Sequence, residues 1–329
     1  VDAGPVDANA MEKTAEMWEG RLVPAVELEI GEEAAGERLD ALLPRAVPEL
    51  SRARAKAMIE AGEVLVNGRR VKKSHLLALG DRVTLGRLPA PLDFHATPDP
   101  DLHIDVLFET DRYVVVEKPA GVPSHPLEEG ETGTLAGALV ATYPEMRGVG
   151  YKKREPGIVH RLDTDTSGVM LAARDPSSFE ALRRRLHAGE IEKRYLARCV
   201  GTVPAPAIID AAIANDPRDR RKVRVCTDPR EIKRLHARSA ITEVLEAVPA
   251  PHGSLVELRA NSARRHQVRA HLASIGHPLL GDPLYGGPEL VRPAHHLLHA
   301  SSLKIGSAPP IVSHWNHRDS EPVFAAATD

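Results

Sequence analysis

Aromatic residues are scarce in this chain of 329 residues, at 3% of the total. So few rings exclude the broad stacking platforms that hold unstructured single strands of nucleic acid. Only two cysteines occur, Cys199 and Cys226. That excludes a disulfide framework and fits a reducing cytoplasm. No apolar run approaches the ~20 residues of a membrane-spanning helix; Tyr113-Val114-Val115-Val116 is typical of those present. No basic segment followed by an apolar stretch opens the chain, so no secretory signal is visible. What remains is ordinary for a globular protein, 42% hydrophobic and 27% charged, which excludes wholesale disorder. The length suits about two domains.

A net charge of −3 argues, taken alone, against a polyanionic partner, but the charge is unevenly placed. Residues 1–40 hold eleven acids against three bases, or −8. Residues 51–73 hold seven bases (Arg52, Arg54, Lys56, Arg69, Arg70, Lys72, Lys73) against Glu60 and Glu63, or +5. Residues 217–238, which include Arg220, Arg221 and Lys222, hold nine bases against three acids, or +6. Polyanion binding is read from such clusters rather than from the total; the alternative for each is a solvated charged face.

Five segments follow from composition and pattern. Residues 1–24 form an acidic, Ala-rich tail without clear period. Residues 25–88 form a small module: a short helix over 37–43, a second over 52–61 with Ser51 as N-cap and Gly62 closing it, then Val64-Leu65-Val66 running into the turn Asn67-Gly68 and a strand over 82–85. Residues 89–101 are Pro-rich and read as a linker. Residues 102–305 read as one larger domain. A hairpin of buried strands (104–109 and 113–117) opens it. A helix over 134–142, a loop over 144–158, a strand over 169–173 and an amphipathic helix over 177–188 follow. Strands over 195–200, 240–248 and 254–260 and a helix over 264–275 complete it. Strands arrive in pairs more often than in alternation with helices. The expected class is therefore α+β with a mixed or antiparallel sheet. Residues 306–329 read as an irregular tail.

The run from Ser51 to Asp81, SRARAKAMIEAGEVLVNGRRVKKSHLLALGD, resembles the S4 RNA-binding module. A helix bearing Arg52, Arg54 and Lys56 beside a tight hairpin bearing Arg69, Arg70, Lys72 and Lys73 presents charge to a structured RNA backbone.

The stretch most suggestive of chemistry is His160-Arg161-Leu162-Asp163-Thr164-Asp165-Thr166-Ser167-Gly168, a polar loop leading into an apolar strand. Catalytic groups are often presented from such loops on a rigid sheet. Ordinary Asx and hydroxyl capping of a turn would leave the same residues. As a motif, HRLDTDTSG resembles the active-site signature of the RluA-type RNA pseudouridine synthases. Three further stretches agree in order: Glu117-Lys118-Pro119-Ala120-Gly121 with His125, then Glu192-Lys193-Arg194-Tyr195-Leu196-Ala197, then Arg264-Arg265-His266-Gln267-Val268-Arg269-Ala270-His271 followed by Gly281-Asp282-Pro283-Leu284-Tyr285-Gly286. The third motif reads Ser262-Ala263-Arg264 where the family pattern has Thr-Gly-Arg.

The resemblance implies isomerisation of uridine to pseudouridine without cofactor or metal, in a catalytic domain with a central RNA-binding cleft. It implies Asp163 as the ionised carboxylate, Arg269 as its counter-charge and Tyr195 packed against the uracil. Arg161 would fill the place of a flipped base. His160, Thr166, Arg264, His266, Gln267 and Lys118 are the implied substrate contacts. Whether Asp163 meets C1′ or the uracil ring stays open. The expected partner is RNA, of the large-subunit (23S-type) ribosomal kind or in ribosome-assembly particles. No membrane is expected, the chain is expected to be monomeric, and the expected location is the cytoplasm. The alternatives are an RNA-binding protein with an inactive synthase-like domain, and a synthase acting on transfer RNA. His295 and His299 stand at i, i+4, but no Cys pair or His-Glu-x-x-His pattern supports a metal. Asp163 and Asp165, two residues apart in a loop, set no glycosidase-type separation.

Overall fold

The computed structural model describes residues 13–18, 21–47, 50, 52–85, 93–262, 264–315 and 323–324. The chain divides into two units, Val1–Asp93 and Phe94–Asp329.

In the smaller unit the strands are β1 (Lys13–Trp18), β2 (Arg21–Glu29), β3 (Val64–Val66), β4 (Arg69–Arg70) and β5 (Arg82–Leu85), and the helices are α1 (Leu39–Ala46) and α2 (Arg52–Ala61). The sheet order is β1-β2-β5-β3-β4. Both helices match the sequence pattern; the expected Ser51 cap lies outside the described residues. Asn67 (φ 50°) and Gly68 (φ 73°) both take the left-handed conformation that a two-residue hairpin turn needs. Asn67 also locks the turn to β5, donating from Nδ2 to Asp81 (2.8 Å) and accepting from the Arg82 N–H (2.9 Å). Leu39, Leu42 and Leu43 of α1 and Ala55, Met58 and Ile59 of α2 bury against Val64, Val66, Val83 and Leu85. Residues 1–24, read as a tail without period, contribute β1 and the start of β2 in antiparallel register.

The larger unit is built on a mixed sheet. Its elements are β6 (Asp105–Glu109), β7 (Tyr113–Lys118), α3 (Leu135–Thr142), β8 (Ser167–Ala173), α4 (Pro176–His187), β9 (Ile191–Val200), β10 (Ala207–Asp210), β11 (Ala212–Asn215) and β12 (Val223–Cys226). They continue with α5 (Pro229–Leu235), β13 (Ile241–Ala250), β14 (Gly253–Arg259), α6 (Gln267–Ser274), β15 (Leu290–Arg292), β16 (Leu298–Ile305), β17 (Ile311–Val312) and β18 (Val323–Phe324). The main sheet runs β10-β13-β14-β9-β16-β8-β7-β6, with β17 on β16; β11 and β12 form a separate hairpin.

Period-two burial sends alternate residues of one strand into two cores. Val114 and Val116 of β7 pack with α3, whereas Val115 packs with Phe179 and Leu182 of α4. Helix α4 starts where Asp175 accepts from the Ser178 N–H (3.0 Å) with Pro176 in the first turn. Tyr195 belongs to the α3-side core.

The sequence reading is corrected at three places. The strand over 104–109 was expected to be buried, but β6 is the sheet's edge, and Val106 and Phe108 stay 42% exposed. Alternation does not distinguish an edge strand from a central one. Residues 94–101 of the expected linker pack on the larger unit: Phe94 and Ala96 are buried, and the Asp99 N–H donates to Gly137 O (3.0 Å). Residues 306–329 include β17, paired with Ser302 and Leu303 of β16.

The one parallel pairing among the described residues, β8 with β16, seats the strand into which the HRLDTDTSG loop runs. Gly168 (φ 111°) faces Ala300 there, and a Cβ would stand 2.2 Å from Ala300 O. Gly168→Ala is therefore expected to destabilise the protein by about 3 kcal/mol or more, through backbone strain plus a forced separation of the strands. Urea unfolding checks this; an unchanged midpoint would mean the close approach is absent.

Candidate active site

Four stretches scattered over the sequence converge on the end of this sheet. The Asp163 loop is held by its carbonyls. Ser124 Oγ donates to Leu162 O (2.8 Å), and the Gly121 N–H donates to Thr164 O (3.0 Å). Lys118 Nζ donates to Thr164 O (2.8 Å), Pro119 O (2.8 Å) and Val122 O (2.6 Å). Lys118 is fully buried; burial pulls its pKa down to about 7, against Asp165 and Asp163. Lys118 is expected from the sequence as a substrate contact; here it meets carbonyls of the chain instead. Its three N–H groups are engaged by loop carbonyls, and its work is to brace the Asp163 loop.

Asp163 Oδ2 accepts from Arg269 Nη1 at 3.0 Å. Arg269, on α6, is itself gripped from behind. Its Nε and Nη2 donate to the two oxygens of Asp282 at 2.7 and 2.9 Å. Asp282 is 1% exposed. Burial pulls the Arg269 pKa down, but Asp282 and then Asp163 outweigh it and hold it above the ordinary arginine value. The bidentate fork fixes the guanidinium plane and leaves Nη1 for Asp163. The Asp282 role was missed in the sequence, where the residue was visible only as the single acid in Gly281–Gly286.

His266 caps α6 in the left-handed region (φ 51°). Its Nε2 lies 3.8 Å from Asp163 Oδ2 and its Nδ1 2.9 Å from Tyr285 Oη, which accepts from the Val223 N–H (2.8 Å). Burial lowers its pKa to about 4, against Asp163. Thr166 Oγ1 meets His296 Nε2 at 2.8 Å; burial, then Arg269, brings His296 to about 3.

A cavity opens beside Asp163, lined by Arg161, Leu162, Thr166, Lys193, Tyr195, Ala260, Ser262, Arg264, His266, Gln267, Val268, Arg269 and Leu298. Tyr195 is 9% exposed, and burial, then Asp163, raises its pKa, so its hydroxyl stays protonated. Arg161 is exposed at the cavity; Arg264 is half-buried, with Nε donating to Ser239 O (3.3 Å). Two expected substrate contacts are otherwise occupied. His160 Nε2 accepts from the Leu171 N–H (3.1 Å); burial, then Lys193, lowers its pKa to about 3. Gln267 lines the cavity, yet its amide bridges Ile241 O, Thr242 Oγ1, Ser262 Oγ and the Arg264 N–H. Helix α6 starts at Gln267, later than the 264 the sequence suggests, because the left-handed backbone at His266 (φ 51°) cannot belong to it. Ala263 lies outside the described residues.

The sequence matches the family described as RNA pseudouridylate synthase over residues 112–274, and the S4 domain over residues 37–83. A protein named ribosomal large subunit pseudouridine synthase D, from Xanthomonas campestris pv. campestris, is 36% identical over 258 residues, covering 78% of this chain and 74% of that one. The chain belongs to the RNA pseudouridylate synthase family. An uncharacterized RNA pseudouridine synthase of Aquifex aeolicus is 37% identical over 263 residues, covering 79% of this chain and 80% of that one. Human RNA Pseudouridylate Synthase Domain Containing 4 shares the fold, at 22% identity and a TM-score of 0.51 over 66% of this chain and 90% of that one. The enzyme is therefore an isomerase, and its S4 domain supplies the basic helix and hairpin of the smaller unit.

In that S4 domain Arg52, Arg54, Lys56, Arg69, Arg70 and Lys72 are exposed, and half-buried Lys73 pairs with Glu60 (3.3 Å). In the synthase unit Arg220, Arg221 and Lys222 occupy the tip of the β11–β12 hairpin. Arg265 Nη2 ties that tip to the start of α6 by donating to Arg220 O (2.7 Å) and Lys222 O (3.4 Å). Among the described residues no helix is long and apolar enough to cross a membrane.

The buried neutral histidines set a pH dependence. With folded pKa values near 3 for His160 and His296, against 6.5 for an ordinary histidine, the unfolded chain binds more protons below about pH 6.5. Stability is then full above that pH and is lost as pH falls toward 3. At pH 5 each such group costs about 2 kcal/mol. His160→Gln keeps an acceptor for the Leu171 N–H without taking up a proton. Urea titrations from pH 7.5 to 4.5 are expected to show its pH slope reduced by about one proton relative to the parent. An identical slope would contradict the neutral assignment.

Proposed function

We propose that the enzyme converts specific uridines of large-subunit ribosomal RNA to pseudouridine, with Asp163 as the carboxylate that acts on the nucleoside. The observation that carries this reading is the Asp163 carboxylate set beside the cavity, with Arg269 held against it by Asp282. The Arg269 guanidinium at hydrogen-bond distance orients the carboxylate and sets a positive charge against it, as either a nucleophile or an electrostatic partner requires. The relatives named ribosomal large subunit pseudouridine synthase D, 33–36% identical, support ribosomal RNA as the substrate class.

In the reaction the N1–C1′ bond breaks, the uracil turns, and C5 bonds to C1′. C5 then gives up its proton and N1 gains one. The target base leaves its stack to reach Asp163, with the Tyr195 ring against the uracil and exposed Arg161 replacing it in the helix. The basic residues of the S4 domain and the Arg220–Lys222 tip hold the phosphate backbone.

Pseudouridine mapping of ribosomal RNA from cells lacking the chain tests this. Loss of modification at one or a few large-subunit uridines is expected, restored by the wild-type gene and not by Asp163→Asn. In vitro, Asp163→Asn should lower single-turnover conversion by at least about 1000-fold and leave RNA affinity within a few fold. Unchanged ribosomal RNA with lost transfer RNA modification would redirect the substrate. Near-wild-type turnover by Asp163→Asn would remove Asp163 from its role.

A further inference from the structure

Lys193 reaches the cavity beside Asp163. It stands on β9 two residues before Tyr195, and both side chains turn inward and line the same cavity. Lys193 is 3% exposed. Its neighbour Arg194, turned the other way, is engaged by Glu192 (2.8 Å) and Glu257 (3.1 Å). Lys193 is different: among the described residues its hydrogen bonds are made by its backbone, the N–H donating to Asn261 Oδ1 (3.1 Å) and the carbonyl accepting from the Ala260 N–H (3.1 Å), while its Nζ, open to the cavity rather than sealed off, meets no acceptor. Lys118, the other deeply buried lysine at this end of the sheet, has all three N–H groups accepted by carbonyls. Burial without a partner is costly for an ammonium. It becomes favourable when a ligand brings an acceptor into the cavity. Burial draws the Lys193 pKa down only to about 8, so the charged form prevails at neutral pH.

Uracil supplies such an acceptor. When the N1–C1′ bond breaks, its electron pair remains on the base and spreads over N1, O2 and O4. A preplaced cation at either oxygen stabilises that charge as it develops. We propose that Lys193 binds the target base, donating from Nζ to a ring carbonyl oxygen of the uracil packed against Tyr195. The proposal rests on the cavity being the base site of the reaction described above. Should the oxygen be O4, the same contact rejects cytosine, which carries an amino group there.

The test uses the full chain in single-turnover reactions on RNA oligonucleotides spanning a uridine that the wild-type enzyme converts. The target is supplied as uridine, 2-thiouridine or 4-thiouridine, since sulfur accepts hydrogen bonds poorly. Lys193→Met, which preserves length, is expected to lower conversion roughly 100-fold with RNA affinity changed less than about threefold, and Lys193→Arg to recover part of the rate. In the wild type one thio analogue should react roughly tenfold slower, identifying the oxygen, and in Lys193→Met that sensitivity should vanish. A Lys193→Met variant at wild-type rate, or one that keeps the same thio sensitivity, would overturn the contact while leaving the isomerase reading intact. If Lys193→Met does not fold, the wild-type arm decides alone: equal rates on all three substrates overturn the proposal. A wild-type protein that converts no uridine in ribosomal or transfer RNA would overturn both this contact and the reading beneath it.

Discussion

The architecture of the site depends on one buried cation. Arg269 stands between Asp282, which takes two of its N–H groups, and Asp163, which takes a third. A guanidinium in that position is tolerable only because carboxylates meet it on two sides. Removing either partner of such a buried pair costs about 3–5 kcal/mol. The two acids are unequal: Asp282 is 1% exposed, whereas the Asp163 side chain keeps 18% of its surface open at the cavity. One carboxylate is structural and closed off; the other is held in place and still reachable.

The remaining motifs serve that arrangement from other directions. The Lys118–Ser124 segment grips the Asp163 loop by its carbonyls, which places the carboxylate without consuming its oxygens. Gly168 lets β8 approach β16 closely just after the loop. On the far side, Tyr285 joins the β11–β12 hairpin to His266, and Arg265 joins the hairpin tip to α6. The basic Arg220–Lys222 tip is thereby connected through hydrogen bonds to His266, which lies 3.8 Å from Asp163.

Local features of the fold were legible in the sequence because they are determined locally. Asn67-Gly68 requires a hairpin, Gly62 ends a helix, and the spacing of Phe179, Leu182 and Leu186 marks one helical face. Asp163, Arg269 and Tyr195 were legible as members of motifs, and the structure brings all three to one cavity. What was illegible depends on long-range partners. Nothing near Lys118 in sequence shows that its ammonium will meet Thr164 O, 46 residues away. Nothing near His160 shows that its ring will accept from a strand N–H. Asp282 stood in a motif without a role because its partner, Arg269 on α6, lies 13 residues away. Pro98 and Pro100 suggested a linker, yet the chain around them packs on the larger unit, since proline limits backbone freedom without dictating exposure.

Asp282, whose two oxygens both meet Arg269, should act on the chemistry only through that guanidinium. A double-mutant cycle on single-turnover pseudouridine formation, with Asp282→Asn, Arg269→Ala and the pair, measures this directly. Asp282→Asn alone is expected to slow the reaction strongly, and adding it to Arg269→Ala to cost no further rate. Losses that multiply independently in the double variant would contradict it.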